Sequence, residues 1–275
     1  MRNGQLKAAY NWQISTSDQY IINYDIYQSP TDFLTFPDHL NQYHKLYGHA
    51  PDVVVADAGY GSEENYEYLE KTGIEGFVKY PGFHKEQKAK AKIKPKEAFH
   101  PKHLYYNEKG DYFICPMGQK MEKCGVTKTT KKSGYVQVAS LYRARRCTDC
   151  PLRGACHKSK EERTIQLNHN LKKHRQQAKA KLLSEKGVAH RSQRPVDVEA
   201  VFGNIKQNKK FTRFLLRGKQ KVLIEVGLLA LAHNLAKMAK YGAEKFLFLF
   251  QNCSSQSMAP LYSIFPPISL CSDSG

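Results

Sequence analysis

Residues 51–61 read Pro51-Asp52-Val53-Val54-Val55-Ala56-Asp57-Ala58-Gly59-Tyr60-Gly61. Three valines and an alanine in a row, closed by a carboxylate and a glycine-rich turn, are the pattern of a buried strand that delivers Asp57 at its C-terminal end. Gly59 and Gly61 complete no phosphate-loop motif; they let the backbone turn sharply beside that carboxylate. Ser62 caps the next helix, which runs to about residue 72. Asn65 stands at capping-box spacing from it, where Glu or Gln is usual. Residues 76–80 form a further short strand.

Upstream, residues 8–16 (AYNWQIST and its preceding alanine) and 20–27 (YIINYDIY) are partly alternating and rich in aromatic and β-branched residues. The Ser17-Asp18-Gln19 break joins them as a hairpin. Residues 31–47 place Phe33, Phe36, Leu40, Tyr43, Leu46 and Tyr47 at helical spacing, with Thr31 or Asp32 as cap. Downstream, residues 84–101 are Lys-rich and read as a solvated loop or basic arm. Residues 105–157 contain cysteines and aromatics, with short strands at 112–115 and 135–141, and look like an insertion with its own small core. Helical patterns resume at 170–185, with Gly187 as a stop, and at 194–208, where Val198, Val201, Phe202 and Ile205 make one apolar face. Residues 221–241 form an apolar helix whose small residues suit core packing. The tail after residue 250 shows no periodicity. The divisions expected are therefore 1–80, a partial α/β core; 81–160, basic arm and Cys-rich insertion; 161–245, a helical part of the core; and 246–275, an irregular tail.

The chain has 275 residues and a formal net charge of +18. Between residues 143 and 219 there are 21 Lys or Arg against 6 Asp or Glu, so most of the excess lies there. An excess this one-sided points to an anionic polymer, most simply nucleic acid, rather than to a solvated helical face alone. The sequence opens without an apolar leader. The longest apolar stretch, 222–232, is interrupted by Glu225 and falls short of the roughly 20 residues a spanning helix needs, so no membrane association is expected. Seven cysteines, an odd number, argue for a reducing compartment. Cys147-x2-Cys150-x5-Cys156 has the compact spacing of a metal chelate, with Cys115 as fourth thiolate and Cys124 or His157 as competitors, so a structural zinc site is expected.

Two carboxylates stand in apolar surroundings: Asp57 at its strand end and Glu199 on the 194–208 helix. Each alone is most simply structural, because burying a carboxylate requires a partner. Together they fit the oxygen-donor requirement of Mg²⁺ or Mn²⁺, and carboxylates from a strand end and a helix can clamp the oxygens of a phosphodiester. Lys209, Lys210, Arg213 and Arg217 interleave with Phe211 and Phe214 in KKFTRFLLRGK. That pattern fits either nucleic-acid contact or a core-anchored loop with solvated basic residues. His233-Asn234 reads as a packed, hydrogen-bonded pair.

These segments carry a resemblance. VVVADAGYGSEENYEYLEKTGIEGFVKY resembles the second-Asp region of bacterial insertion-sequence DDE transposases, and RPVDVEAVFGNIKQNKKFTRFLLRGKQKVLIEVGLLALAHNLAKMAKY resembles their Glu-bearing C-terminal region. CTDCPLRGAC matches a subgroup with a Cys-containing insertion, and YNWQIST matches the hairpin before the second Asp. The resemblance spans about residues 1–245. It implies an RNase H-like core within the α/β class and Mg²⁺-dependent cutting and joining of DNA in the bacterial cytoplasm, with transposon ends and target DNA as partners. By position, Asp57 resembles the second metal-binding Asp, Glu199 the metal-binding Glu, and Lys206 the DNA-contacting Lys of the Tyr-Arg-Glu-Lys signature. Ser192 and Pro195 occupy the expected Tyr and Arg offsets; Arg191 and Arg194 lie close enough to substitute. The family's first Asp, on a strand before the hairpin, has no counterpart, because Asp18, Asp25 and Asp32 lie on or after it. The resemblance therefore implies an N-terminally truncated core, exposed edges where its central strand belongs, and a catalytically incomplete product. Such a product would act with an upstream transposase fragment or as an oligomer. A non-catalytic, zinc-stabilised nucleic-acid-binding protein is the alternative.

Overall fold

A computed structural model describes residues 9–88, 99–251 and 268–274. The chain divides into two compact units, residues 1–81 with 178–275, and residues 82–177. The larger opens with the hairpin β1 (Asn11–Ser17) and β2 (Tyr20–Tyr27). Asp18 and Gln19 both take positive φ, 49° and 63°, in the two-residue turn between them, which matches the twist of paired strands. Helix α1 spans Phe36–Tyr47 and is capped at Gly48 in the left-handed conformation. It starts later than the apolar spacing suggests. Asp32–Leu34 form a separate tight turn, so neither Thr31 nor Asp32 caps the helix.

Strand β3 (Val53–Ala56), helix α2 (Glu63–Thr72) and strand β4 (Glu75–Val78) follow as expected. The Ser62 hydroxyl accepts from the Asn65 N–H at 3.2 Å. The Asn65 amide does not return the bond; it donates to the Tyr60 carbonyl at 2.8 Å.

The smaller unit begins with the short helix α3 (Phe83–Lys88). Most of the Lys-rich segment lies outside the described residues. A five-stranded antiparallel sheet follows: β5 (Tyr106–Asn107), β6 (Tyr112–Ile114), β7 (Lys120–Thr130), β8 (Val136–Arg143) and β9 (Thr164–Leu167), paired in that order. Its core is Phe113, Met121, Tyr142, Ala144 and Ile165. A one-turn helix, α4 (Arg153–Cys156), lies between β8 and β9. Helix α5 (His169–Leu183) then carries the chain out of this unit.

Back in the larger unit, α6 (Glu185–Arg194) runs straight through Gly187. That glycine is no helix stop: a Cβ there would lie 2.0 Å from the Lys181 carbonyl oxygen, so only glycine fits the tight α5–α6 corner. The helix continues as a π turn (Pro195–Glu199), α7 (Ala200–Gly203) and a second π turn (Asn204–Asn208). Pro195 lacks an N–H, and the Ala200 N–H closes the first wide turn on the Pro195 carbonyl. Helix α8 (Lys219–Gln251) follows. Its Lys219–Tyr241 part is long and apolar enough to cross a membrane by length and composition, but Val222, Val226 and Ala230 are buried in the core of this unit.

The tail is not irregular throughout. Residues Ile268–Ser274 form β10, and the sheet order is β2-β1-β10-β3-β4. β10 runs antiparallel to β1 from Asn11↔Ser274 to Thr16↔Ser269 and parallel to β3 from Ile268↔Val54 to Leu270↔Ala56. The edges expected to lie open are therefore paired, and every residue of β1 is buried. On one side Trp12, Ile14 and Ile26 pack with Val198, Val201, Phe202, Ile205 and Val222. Trp12 meets Phe202 and Phe211 edge-on at 5.3 and 6.3 Å. On the other side the alternation places polar residues. Gln13 donates to Thr35, and Ser15 Oγ lies 2.8 Å from Nε2 of the fully buried His39, whose pKa burial lowers to about 3.

β10 joins two otherwise separate pairs of strands. Deleting residues 252–275 is expected to remove most of the folding cooperativity of the larger unit, a loss of several kcal/mol against a typical total of about 5–15 kcal/mol. Urea unfolding followed by Trp12 fluorescence measures this. An unchanged midpoint would show that β10 carries no part of the stability.

Candidate functional site

Asp57 follows β3 directly, and its backbone carbonyl accepts the Tyr60 N–H at 3.1 Å, closing the turn. Space rather than dihedral freedom fixes the two glycines of that turn. Neither takes positive φ, but a Cβ on Gly61 would lie 2.3 Å from the Lys79 carbonyl oxygen and one on Gly59 would lie 2.5 Å from Asp32 Oδ2. The close approach brings the ends of β3 and β4 together, so that Lys79 Nζ lies 3.5 Å from Asp57 Oδ1.

Arg194 closes the site from the helical side. Its side chain is 3% exposed, yet its guanidinium reaches Asp57 Oδ2 at 4.0 Å and Glu199 Oε1 at 3.2 Å. Asp57 and Glu199 thus both lie within reach of one buried cation. Burial pushes the Asp57 pKa up. Arg194, the Ala58 N–H and Lys79 together outweigh it and hold the carboxyl below its ordinary value. The carboxylates themselves remain half-exposed, at 50% and 61%.

The expected place of Arg194 at DNA is therefore corrected: a buried guanidinium needs counter-charge, and the two carboxylates supply it. The π turn explains its offset. Within a π turn the residue five positions back takes the place that the residue four back holds in an α-helix. Arg194, five before Glu199, is so brought to the place that Pro195, four before it, would hold in an α-helix. Arg191 is partly buried. Lys206 is exposed, with Nζ 5.5 Å from the Phe202 ring centroid, and it lies in the second π turn.

Lys209, Lys210, Arg213 and Arg217 are exposed. Phe211 and Phe214 turn inward against the core, 5.6 Å apart edge-to-face, so the aromatic positions of that loop are anchors rather than stacking platforms. Glu225 fixes the loop from α8, accepting the N–H groups of Leu215 and Leu216 at 2.8 and 3.0 Å. The His233-Asn234 pair is structural as read. His233 lies between the Asn204 amide and the Gln19 carbonyl, and the Asn234 side chain bonds both the N–H and the carbonyl of Ile21.

In the smaller unit Cys115, Cys147, Cys150 and Cys156 line one cavity of about 20 Å³, together with His157 and Arg163. The buried Arg163 donates to Cys156 Sγ at 2.7 Å, and the Gln119 N–H donates to Cys115 Sγ at 3.4 Å. Burial raises the Cys147 pKa. Cys124 is exposed and outside this group. Among the described residues, no set of three or more His, Cys, Asp or Glu side chains is placed to hold a metal ion, in this cluster or around Asp57. The chemistry of both donor sets nevertheless fits the ions expected: thiols for zinc, carboxylate oxygens for a hard divalent cation.

Sequence reasoning missed Lys79 and the bridging role of Arg194. It also missed a cavity of about 480 Å³ beside the β1–β2 turn, lined by Asp18, Tyr20, Asp197, Lys237 and Tyr241. Asp197 is buried there and accepts the Gln19 N–H at 2.9 Å; burial, the largest influence, raises its pKa. Its neighbour Val198, on the apolar face read from the sequence, gave the only hint that Asp197 would be enclosed.

Residues 114–239 match the family model of the transposase DDE domain. Over that stretch, which holds five of the seven cysteines, Arg194, Glu199, Lys206 and most of the exposed part of α8, the resemblance to DDE transposases is borne out. No curated protein and no solved structure matches the chain.

The burial asymmetry has a measurable consequence. Replacing both half-exposed carboxylates by alanine leaves a buried guanidinium without these two counter-charges, at an expected cost of about 3–5 kcal/mol. Arg194→Met leaves carboxylates that water can solvate and is expected to cost less. In Arg194→Met the Asp57 carboxyl is expected to titrate higher than in the parent chain. A lowered carboxyl pKa stabilises the fold above the unfolded-state value and ceases to do so as pH falls through the folded value. The acid limb of the stability curve should therefore flatten. Urea unfolding against pH and carboxyl NMR titration test both statements, and equal losses in the two variants would contradict the asymmetry.

Proposed function

We propose that this chain is a DDE-type transposase polypeptide with an RNase H-like core. On this reading it holds DNA on the exposed basic surface of residues 206–217 and presents Asp57 and Glu199 to the phosphodiester. The observation that carries the reading is the transposase DDE domain match over residues 114–239. It is supported by the meeting of Asp57 and Glu199 around Arg194 within one unit.

Asp57 and Glu199 would hold a divalent ion, Mg²⁺ or Mn²⁺, which when bound supplies charge stabilisation to a phosphodiester undergoing cleavage. The chain's own groups have distinct parts. Lys209, Lys210, Arg213 and Arg217 bind backbone phosphates and set the DNA's register. Lys206 approaches the strand near the carboxylates. Arg194 and Lys79 keep Asp57 ionised and hold the ends of β3 and β4 against the helix. The same two cations neutralise much of the acidic pair, and among the described residues no third acidic side chain joins it. We therefore propose that the chain is catalytically incomplete alone and that strand cleavage needs a further acidic residue supplied by another polypeptide. DNA binding in the cytoplasm is the function that survives.

DNA association is expected to weaken steeply as salt rises, with a slope that falls by about one for each basic residue removed from positions 209, 210, 213 and 217. The isosteric pair Asp57→Asn, Glu199→Gln should leave binding intact, and the parent chain with Mg²⁺ should not cleave transposon-end DNA. Salt-titrated fluorescence anisotropy and a gel-based cleavage assay read the outcomes. Cleavage by the chain alone would overturn the incompleteness, and salt-independent binding would overturn the basic surface.

For the smaller unit we propose a structural zinc held by Cys115, Cys147, Cys150 and Cys156, supported by the convergence of these thiols on one cavity. Ligation requires their deprotonation, so zinc uptake should release protons and become stronger as pH rises. Elemental analysis is expected to find about one zinc per chain, lost in Cys147→Ser, Cys150→Ser. Equal zinc in both chains would remove the site.

A further inference from the structure

We infer that the outer face of α8 is a self-association surface: Ile224, Leu228, Leu231, Leu235 and Met238 pair with the same stripe on a second copy of this chain. The inference does not depend on the transposase reading.

These five residues recur at intervals of four, three, four and three, the alternation of a two-helix apolar seam. All five are between 54% and 62% exposed, although the inner face of the same helix, Val222, Val226, Ala230 and His233, is buried. One helix thus has two apolar sides, and the described residues of its own unit cover only one. Between Ile224 and Met238 the only charged residues are Glu225 and Lys237, and both are engaged elsewhere. Glu225 holds the Leu215 and Leu216 N–H groups. Lys237 bonds the Gln19 side chain and lies over the rings of Tyr20 and Tyr241, 5.0 and 4.6 Å from their centroids. No charge interrupts the stripe, and the exposed Ala232, Ala236 and Ala239 beside it let a second helix approach closely.

The stripe is nearly symmetric about Leu231. An antiparallel partner related by a two-fold axis there sets Leu228 against Leu235, Ile224 against Met238 and Leu231 against itself, so one patch serves both copies. The exposed apolar area is on the order of 500 Å² per copy, at the upper end of what monomeric proteins present. Two copies cover on the order of 1,000 Å², the lower bound for a stable interface. The exposed Leu215 and Leu216, fixed at this end of α8 by Glu225, enlarge it. A bilayer is the poorer occupant. A helix lying on a membrane carries a charged face opposite its apolar one, whereas the face of α8 opposite the stripe is packed into the core and bonded to β2 through Asn234. Each copy carries a net charge of +18, so association brings like charges together and should strengthen with salt.

Sedimentation equilibrium of the full chain across a concentration series, in about 0.1 M and about 0.5 M salt, tests this. The expected result is a species of twice the 31.4 kDa chain mass, tighter at the higher salt. Leu228→Glu with Leu235→Glu should sediment as a monomer with unchanged circular dichroism. L231C, at the two-fold centre, should give under oxidation a covalent dimer whose peptide map links position 231 to itself. A monomer at both salts, a dimer that persists in the folded double variant, or absence of the 231–231 link overturns the proposal. So does a parent chain that remains monomeric but co-sediments with phosphatidylcholine–phosphatidylglycerol vesicles, which would assign the stripe to lipid.

Discussion

A guanidinium with almost no access to water must find negative charge nearby, and that requirement organises the larger unit. Arg194 sits at the end of α6, where Pro195 widens the next turn. From there it reaches a carboxylate on the sheet and another on its own helix. Lys79 adds a second positive group from the neighbouring strand end. The ends of β3 and β4 and the α6–α7 helix are thus tied at one point. Desolvation of the arginine makes that point costly to break, although the carboxylates are half in water. The same arrangement bears on metal affinity. A divalent ion at Asp57 and Glu199 would share them with two resident cations, so its binding is weakened by repulsion unless further negative charge arrives. A DNA phosphate or an added carboxylate would each supply it.

The parts of the fold that local chemistry determines were legible. The hairpin follows from alternation and a two-residue turn able to take positive φ, and β3 from three consecutive valines. α2 follows from Ser62 and a left-handed glycine, Gly73, at its end. β10 was not legible. Ile268–Ser274 has few strong strand formers, and its pairing depends on a gap between β1 and β3 that no local pattern announces. Long-range pairing of this kind is a tertiary property. Gly187 misled for a related reason: a glycine where two helices touch resembles one that ends a helix, and only the Lys181 carbonyl distinguishes them.

At the site, Asp57 and Glu199 stood out because apolar residues border them in the sequence, although their carboxylates are half in water. Their cations did not. Arginine and lysine are ordinarily solvated, and in a chain this basic a buried Arg194 looks like any other. The wide turn at Pro195–Glu199 also displaced Arg194 by one position from where α-helical spacing would place it. The aromatic–basic loop was ambiguous for a physical reason as well. Phe211 and Phe214 could stack on bases or anchor a core, and the choice depends on whether a core lies within reach. Trp12, edge-on to Phe211, shows that it does.

Composition by itself misdescribes α8. Its apolar run satisfies the length and hydropathy of a membrane span, and equally of a core helix. The distribution of its partners separates these cases. Tyr24, Ile21 and Gln19 engage Gly227, Asn234, His233 and Lys237 on one side, so a bilayer could surround the helix only if the unit came apart. Leucines on the other side have no such engagement with β2. A soluble chain tolerates exposed leucines singly, but a continuous row carries a hydration cost that a second apolar surface removes. Net charge opposes that contact between copies, and polyanion binding would relieve the opposition. On the two proposed readings the basic loop and the apolar face of α8 would be coupled through electrostatics: DNA neutralising residues 209–217 would also lower the barrier to bringing two α8 helices together.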